Sequence, residues 1–324
     1  MSLSPAQISL LEEFEQGLDP RWPERSRVPA RVLGYGEIST VFAIQAEGLE
    51  DLAFKRLPLF YNDDEIKAYQ VAYAEYNRLL QEEIGLRLPA FGYCSLANQT
   101  GRPIFYIVQR QLPAASIGNQ AMHLLPRDRI MLLVRCILQE LRLVWDFNRR
   151  QDQLRIGLDG QISNWSIEGF DSQHPYVDDD TSLTYLDTST PLFRIAGEEQ
   201  MDPELFLRSA PSFLVWILRL LFVQDVVDRY YDFRRVVVDL VANFYKEQRP
   251  ELIPELVDAA NSFFAEEAAD LGLEPIDEKQ VRAYYREDAL IWTLYLSMRR
   301  LDRWLHTTLL RREYPYILPG KTKR

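Results

Sequence analysis

Pro113 divides the chain into two stretches whose apolar residues repeat with different periods, and this division limits the available folds more than any other feature. Before it, residues 30–34 and 40–46 alternate with a period of two. Residues 52–57, Leu-Ala-Phe-Lys-Arg-Leu, read as a third strand, and 88–96 and 104–110 as two more. One long helix interrupts them, from Asp63 or Asp64 as N-cap to Gly85 as its stop, and a short amphipathic pattern (Ile8, Leu11, Phe14) precedes them all. After Pro113 the spacing becomes helical. Ile130, Leu133, Val134, Ile137, Leu141, Val144 and Trp145 line one face of a helix over 126–150. A strand-loop-strand stretch covers 154–194, and helices are expected over 203–222, 224–247, 250–271 and 277–312, punctuated by Pro250, Gly272 and Pro275. The expected class is α+β with two lobes. The N-terminal lobe, 1–112, holds the first helix, a five-strand sheet and one further helix; the C-terminal lobe, 113–324, is mostly helical with a hairpin at 154–194. Ligands tend to settle between such lobes.

With 47% hydrophobic and 26% charged residues over 324 positions, the chain has the make-up of a soluble globular protein able to bury a large core. Its net charge of −11 argues against non-specific nucleic-acid binding, which needs a surplus of Lys and Arg to neutralise phosphates. Cys94 and Cys136 lack CxxC neighbours, so neither a zinc site nor a disulfide framework is expected, only buried free thiols. His123, His174 and His306 are scattered, leaving little for a histidine triad or metal cluster. No secretory signal opens the chain, and its most apolar run, Phe213 to Val223, contains Arg219 and falls short of the ~20 residues that span a bilayer. The expectation is a cytoplasmic protein with no membrane partner.

Five features carry potential chemistry. Gly34-Tyr35-Gly36-Glu37-Ile38-Ser39-Thr40-Val41 lies between two strands, where its glycines permit a hairpin whose N–H groups can approach phosphates. A hairpin turn with two glycines is by itself more often structural. Lys55 sits on the next strand between apolar residues, with its amine directed as its i±2 neighbours are; an isolated strand lysine is usually a solvated edge residue. Glu75, mid-helix beside Tyr73 and Tyr76, can pair with Lys55, with Glu65 and Glu82 as alternatives, although helix glutamates are mostly surface residues. In Leu158-Asp159-Gly160-Gln161-Ile162-Ser163-Asn164, an Asp and an Asn five residues apart can converge across a tight loop, the first as proton acceptor and the second as Mg²⁺ ligand. Asp187 ends a strand, a place for a metal-holding carboxylate or for an ordinary turn-former.

In this order, and each in its expected secondary structure, the five features resemble the protein-kinase-like superfamily, more its aminoglycoside and choline kinase branch than the protein kinases. The resemblance covers residues 30 to about 194 by motif and the rest by architecture. Gly34, Gly36 and Val41 match its GxGxxGxV loop, with Ser39 where the third glycine stands. Lys55, Glu75, Asp159, Asn164 and Asp187 match its strand lysine, helix glutamate, catalytic-loop Asp and Asn, and metal-binding Asp. The departures are Gly157-Leu158-Asp159 for His-Arg-Asp, Asp187-Thr188-Ser189 for DFG, a 23-residue step from Asn164 to Asp187 with an enlarged hairpin around 169–181, and no Ala-Pro-Glu segment.

The resemblance implies ATP and Mg²⁺ as cofactors and a small-molecule hydroxyl acceptor, with Asp159 accepting its proton. The alternative is a pseudokinase scaffold that still binds nucleotide. Asp178-Asp179-Asp180 reads as a solvated turn before a cation site, and Trp216, Phe222, Tyr230, Tyr231, Trp292, Tyr295 and Trp304 as core before acceptor pocket.

Overall fold

The structure is a computed structural model that describes residues 1–36, 38–202, 204–208, 227–312 and 314–320. Glu37, Trp216, Phe222, most of the helix expected at 203–222 and the start of that at 224–247 lie outside the described residues.

Five strands form one antiparallel sheet: β1 (Ala30–Tyr35), β2 (Thr40–Ile44), β3 (Leu52–Leu57), β4 (Phe91–Ala97) and β5 (Pro103–Arg110), in the order β1-β2-β3-β5-β4. Because side chains alternate along a strand, each strand serves two layers. Phe42, Ile44, Phe54, Ile104, Tyr106 and Val108 face helix α1 (Pro5–Gly17), which buries Leu11 and Phe14 against them. Leu57, Phe105 and Ile107 face helix α2 (Asp63–Arg78), which presents Ile66, Tyr69 and Tyr73. Full burial of one such side chain is worth about 1.5–3 kcal/mol, so both layers hold firmly. Helix α1 starts in a capping box between Ser4 and Gln7. The N-cap of α2 is Asn62 rather than an aspartate: its extended backbone lets its side chain accept from Glu65 N, and Asp63 and Asp64 become first-turn residues favoured by the helix dipole. A wider turn over Leu79–Ile84 then ends at Gly85, whose φ of +93° suits glycine.

The other lobe is built on helix α3 (Arg127–Arg149), whose Ile130, Leu133, Val134, Ile137, Leu141 and Val144 are wholly buried. Around it pack α4 (Phe233–Lys246), α5 (Ile253–Glu266) and α6 (Glu278–Trp304). The stretch expected as strand-loop-strand holds five short strands: β6 (Leu154–Ile156), β7 (Trp165–Ile167), β8 (Leu183–Tyr185), β9 (Phe193–Ile195) and β10 (Glu198–Glu199). They form a β7-β8 pair and a β10-β9-β6 sheet. The helix expected from 224 is broken: Arg229–Tyr231 is a single 3₁₀ turn, and Asp232 caps α4 through its bond from Arg235 N. Asp178 closes a local turn with Thr181, and Asp179 is exposed, so the acidic run is the solvated turn its composition suggests.

Gln111–Pro113 lead from the sheet to the helical part of the chain, and two later segments return to the core between the sheet and α2. Met201 and Leu205 enter the core layer of Tyr69 and Phe105, and Arg208 pairs with Glu65 at 2.5 Å. Tyr314, Tyr316 and Leu318, beyond α6, enter the same layer. Between β3 and α1, Arg56 and Glu15 form a doubly hydrogen-bonded ion pair, 2% and 1% exposed, and Arg56 also donates to Pro315 O at 2.7 Å.

Candidate active site

Between the sheet and the loop after β6 lies a cavity of about 400 Å³. Its roof is the β1–β2 turn with Gly36, Ile38 and Ser39, and beside them Lys55 of β3. Leu33 bulges from the β1–β2 ladder, so Gly34 pairs with Val41, and Val41 in turn pairs with Lys55 across β2 and β3. Gly36 N donates to Ser39 O at 3.0 Å and closes the turn. Neither Gly34 nor Gly36 has a positive φ, so left-handed backbone is not what selects them. At Gly36 the constraint is space, since a Cβ there would stand 2.8 Å from Ser39 Oγ; at Gly34 a Cβ would meet nothing.

Lys55 Nζ reaches Asp187 Oδ1 at 2.6 Å, and Ser189 Oγ donates to the same oxygen at 2.8 Å. Asp187 follows β8, and Leu186 N donates to Asn164 O at 2.8 Å, tying that strand end to the loop opposite. Within the loop, Asn164 Nδ2 donates to Asp159 O at 3.2 Å and Gln161 N to Asp159 Oδ1 at 3.1 Å. Gly160 lets the loop sit on the helices beneath, because a Cβ there would come within 2.6 Å of Val236 and 3.1 Å of Leu141. Lys55, Asp159, Asn164 and Asp187 thus line one cavity.

The carboxylates differ in charge behaviour. Burial, then the neighbouring Asp239 and Asp187, push the Asp159 carboxyl up to about 7. Burial would raise Asp187 as well, but Lys55 and the Ser189 hydrogen bonds outweigh it and hold that group below its usual value. Asp239, buried on α4, is raised by its burial despite Arg229. A base of near-neutral affinity beside a permanently ionised carboxylate is a pairing that can manage a proton and a cation separately.

Glu75 does not pair with Lys55. It lies on the flank of α2, 41% exposed, and bonds Arg78 one turn on at 2.9 Å. Glu65 pairs with Arg208, and Glu82 lies near Arg78, so neither alternative reaches Lys55. The helix face toward the cleft belongs to tyrosines, whose hydroxyls bond the segments that line it. Tyr69 donates to Ser189 O at 2.6 Å, Tyr76 donates to Gly157 O at 2.9 Å, and Thr188 Oγ1 donates to Tyr73 at 3.3 Å. Their 4–3 spacing was visible in the sequence, but not the partners. Also unforeseen were Gln161, which links Lys246 to Asp239 (3.3 and 3.2 Å), and Arg229, which lines the same cavity. Tyr230 and Trp292 line it too, and Tyr230 also packs on the helical core.

Among the described residues no group of three or more His, Cys, Asp or Glu stands ready to hold a metal. Asp187 and Asn164, which both line the cavity, instead offer two hard oxygen donors, with the Asn164 amide nitrogen already engaged. Such a sparse oxygen set fits Mg²⁺, which keeps waters and phosphate oxygens as its other ligands. No described helix is long and apolar enough to cross a membrane.

A small antiparallel sheet flanked by α1 and α2, joined to a mostly helical lobe with the cavity at the junction, makes a two-lobed α+β fold. The chain belongs to the family of unknown function DUF6206, whose family model matches residues 24–303. A search of curated proteins found no sequence match. Solved structures similar to it include WaaP in complex with acyl carrier protein, at 15% identity and TM-score 0.31, covering 71% of this chain and 89% of that one. Another is the GDP complex of wild-type aminoglycoside 2'-phosphotransferase-IIIa, at 14% identity and TM-score 0.30, covering 82% of this chain and all of that one (100%).

Proposed function

We propose that this protein is an ATP- and Mg²⁺-dependent phosphotransferase that moves the γ-phosphoryl group to a hydroxyl of a small-molecule acceptor. One juxtaposition carries the reading: Lys55 and Asp187, 132 positions apart, meet at 2.6 Å in a cavity that Asp159 and Asn164 also line. Phosphoryl transfer asks a protein chiefly for positioning and charge stabilisation, and these four groups supply both. Lys55 holds the nucleotide phosphates, exchanging its bond to Asp187 for bonds to them. Asn164 and Asp187 hold the cation. Mg²⁺, when bound, neutralises charge on the β- and γ-phosphates. Asp159 orients the acceptor hydroxyl and takes its proton, for which its raised proton affinity suits it. Only five residues separate Asp187 from β9, which leaves no room for a long peptide-docking segment and favours a small acceptor.

A nucleotide-binding scaffold is the second reading, favoured by Glu75 pairing with Arg78 in place of Lys55. Mg-ATP should raise the melting temperature of the wild type, as any ligand of the native state does, and Lys55→Met or Asp187→Asn should remove the rise. Asp159→Asn should keep the rise and lower ATP turnover by about 10²–10⁴-fold, the usual worth of a general base. Unchanged turnover in Asp159→Asn points to the scaffold; no melting shift at saturating Mg-ATP defeats both readings.

A further inference from the structure

Away from the cleft, at the C-terminal end of α6, a second cavity of about 380 Å³ is bounded by Arg21, Arg300, Arg303, Trp304 and Tyr314. Its charge stands out in an acidic chain in which several partly buried arginines pair with carboxylates: Arg142 with Asp270, Arg194 with Glu199, Arg208 with Glu65. Among the described residues no carboxylate lies within ion-pair reach of Arg21, Arg300 or Arg303. Arg300 donates only to the carbonyls of Pro319 and Gly320. Asp19, which also lines the cavity, spends Oδ1 on the backbone N–H groups of Arg21 and Trp22.

Three guanidinium groups from two distant segments therefore line one space with a single carboxylate, Asp19, and among the described residues none of the three is ion-paired. Like charges repel, and Arg303 records it: burial first, then Arg21, Arg300 and Arg299, pull its proton affinity below the usual arginine value. The carbonyls at the end of α6 tolerate nearby cations, but that effect is worth only about 0.3–1 kcal/mol and falls off within a turn. It does not account for three groups converging on a cavity. The Tyr314 hydroxyl, buried in the cavity wall, meets no hydrogen-bond acceptor, and the Trp304 ring is 54% exposed at the rim. Unpaired forked donors, a hydroxyl seeking an acceptor and an exposed aromatic face together match an anion with several oxygens attached to a less polar body.

We propose that Arg21, Arg300, Arg303 and Tyr314 form a second site, separate from the cleft, that binds the phosphate group of a phosphorylated ligand. The phosphate can come free in solution or on a lipid headgroup, since Leu309 and Leu310 are exposed beside the rim. The test is melting of the full chain in millimolar inorganic phosphate against chloride at equal ionic strength, with co-sedimentation on phosphatidic-acid vesicles, phosphatidylcholine vesicles being the control. Wild type should respond to one or both. A melting shift without sedimentation assigns a soluble ligand, and sedimentation without a shift assigns the headgroup. Arg303→Gln and Arg21→Gln should each weaken the response about tenfold, the worth of one charged hydrogen-bonded contact. Arg21 lies on an exposed turn, so that variant guards against simple misfolding. Lys55→Met removes the phosphate contact proposed for the cleft, and a response should remain in it. No response of the wild type in either arm, a response kept in Arg21→Gln and Arg303→Gln, or one lost in Lys55→Met overturns the assignment.

Discussion

Glu15→Ala is the substitution whose cost can be worked furthest from the structure. Its carboxylate takes Arg56 Nε at 2.8 Å and Nη2 at 2.7 Å, and the Tyr106 hydroxyl donates to it as well. Removal leaves a guanidinium that is 2% exposed with only neutral partners among the described residues, Pro315 O and the Tyr106 hydroxyl, and takes away the carboxylate to which Tyr106 donates. Breaking a buried pair from one side costs about 3–5 kcal/mol, most of it the desolvated charge left behind. Since desolvation opposes the pair itself, Glu15→Leu with Arg56→Met should come within about 1 kcal/mol of wild type. Urea unfolding of wild type, Glu15→Ala and the Glu15→Leu/Arg56→Met double variant reads both quantities. A single-variant cost under about 1 kcal/mol would refute the reasoning, because it would mean that water reaches Arg56 and α1 is not sealed onto the sheet. Arg56 points away from the cleft that its neighbour Lys55 lines, so nucleotide affinity should survive in the double variant.

Three further outcomes follow from the same geometry. In metal-free protein, the raised Asp159 carboxyl disfavours the folded state once ionised; stability should fall as pH rises from about 4 toward 7, and Asp239→Asn, which removes a repelling charge, should flatten that fall in melting curves taken with chelator. Burial pushes the Cys94 thiol to about 12 and Cys136 to about 11, so both should resist alkylation at pH 8 and react only as the chain unfolds, as mass spectrometry after timed labelling would show. Gly160→Ala forces a methyl onto Val236 and Leu141, so it should cost about 1–3 kcal/mol in unfolding measurements and lower turnover more than nucleotide affinity.

What the sequence made legible were the residues set by local geometry. Lys55 is aimed by strand alternation, Asp159 and Asn164 by a tight loop, and Asp187 by a strand end, and each needs only its own few neighbours to be placed. Glu75 depended on how α2 is rotated about its axis. Tyr69, Tyr73 and Tyr76 settle that rotation by packing on the sheet and bonding to Ser189 and Gly157, and no local signal reports such partners. The break before α4 was hidden for a similar reason. Tyr230 keeps helical spacing, yet its carbonyl accepts from Leu158 N at 3.0 Å, a bond made with a distant loop. The Arg21–Arg303 cavity is likewise invisible until the chain's two ends are brought together.

The repeated return of the chain to the sheet has a mechanical consequence. A two-lobed molecule joined by one connector can open like a book, but here Met201, Leu205, Arg208, Tyr314, Tyr316 and Leu318 also stitch the helical part to the sheet. Opening the cleft by rotation would have to pull Tyr316 and Leu205 out of an apolar layer, so substrates should enter by motion of the β1–β2 turn while the lobes stay in register.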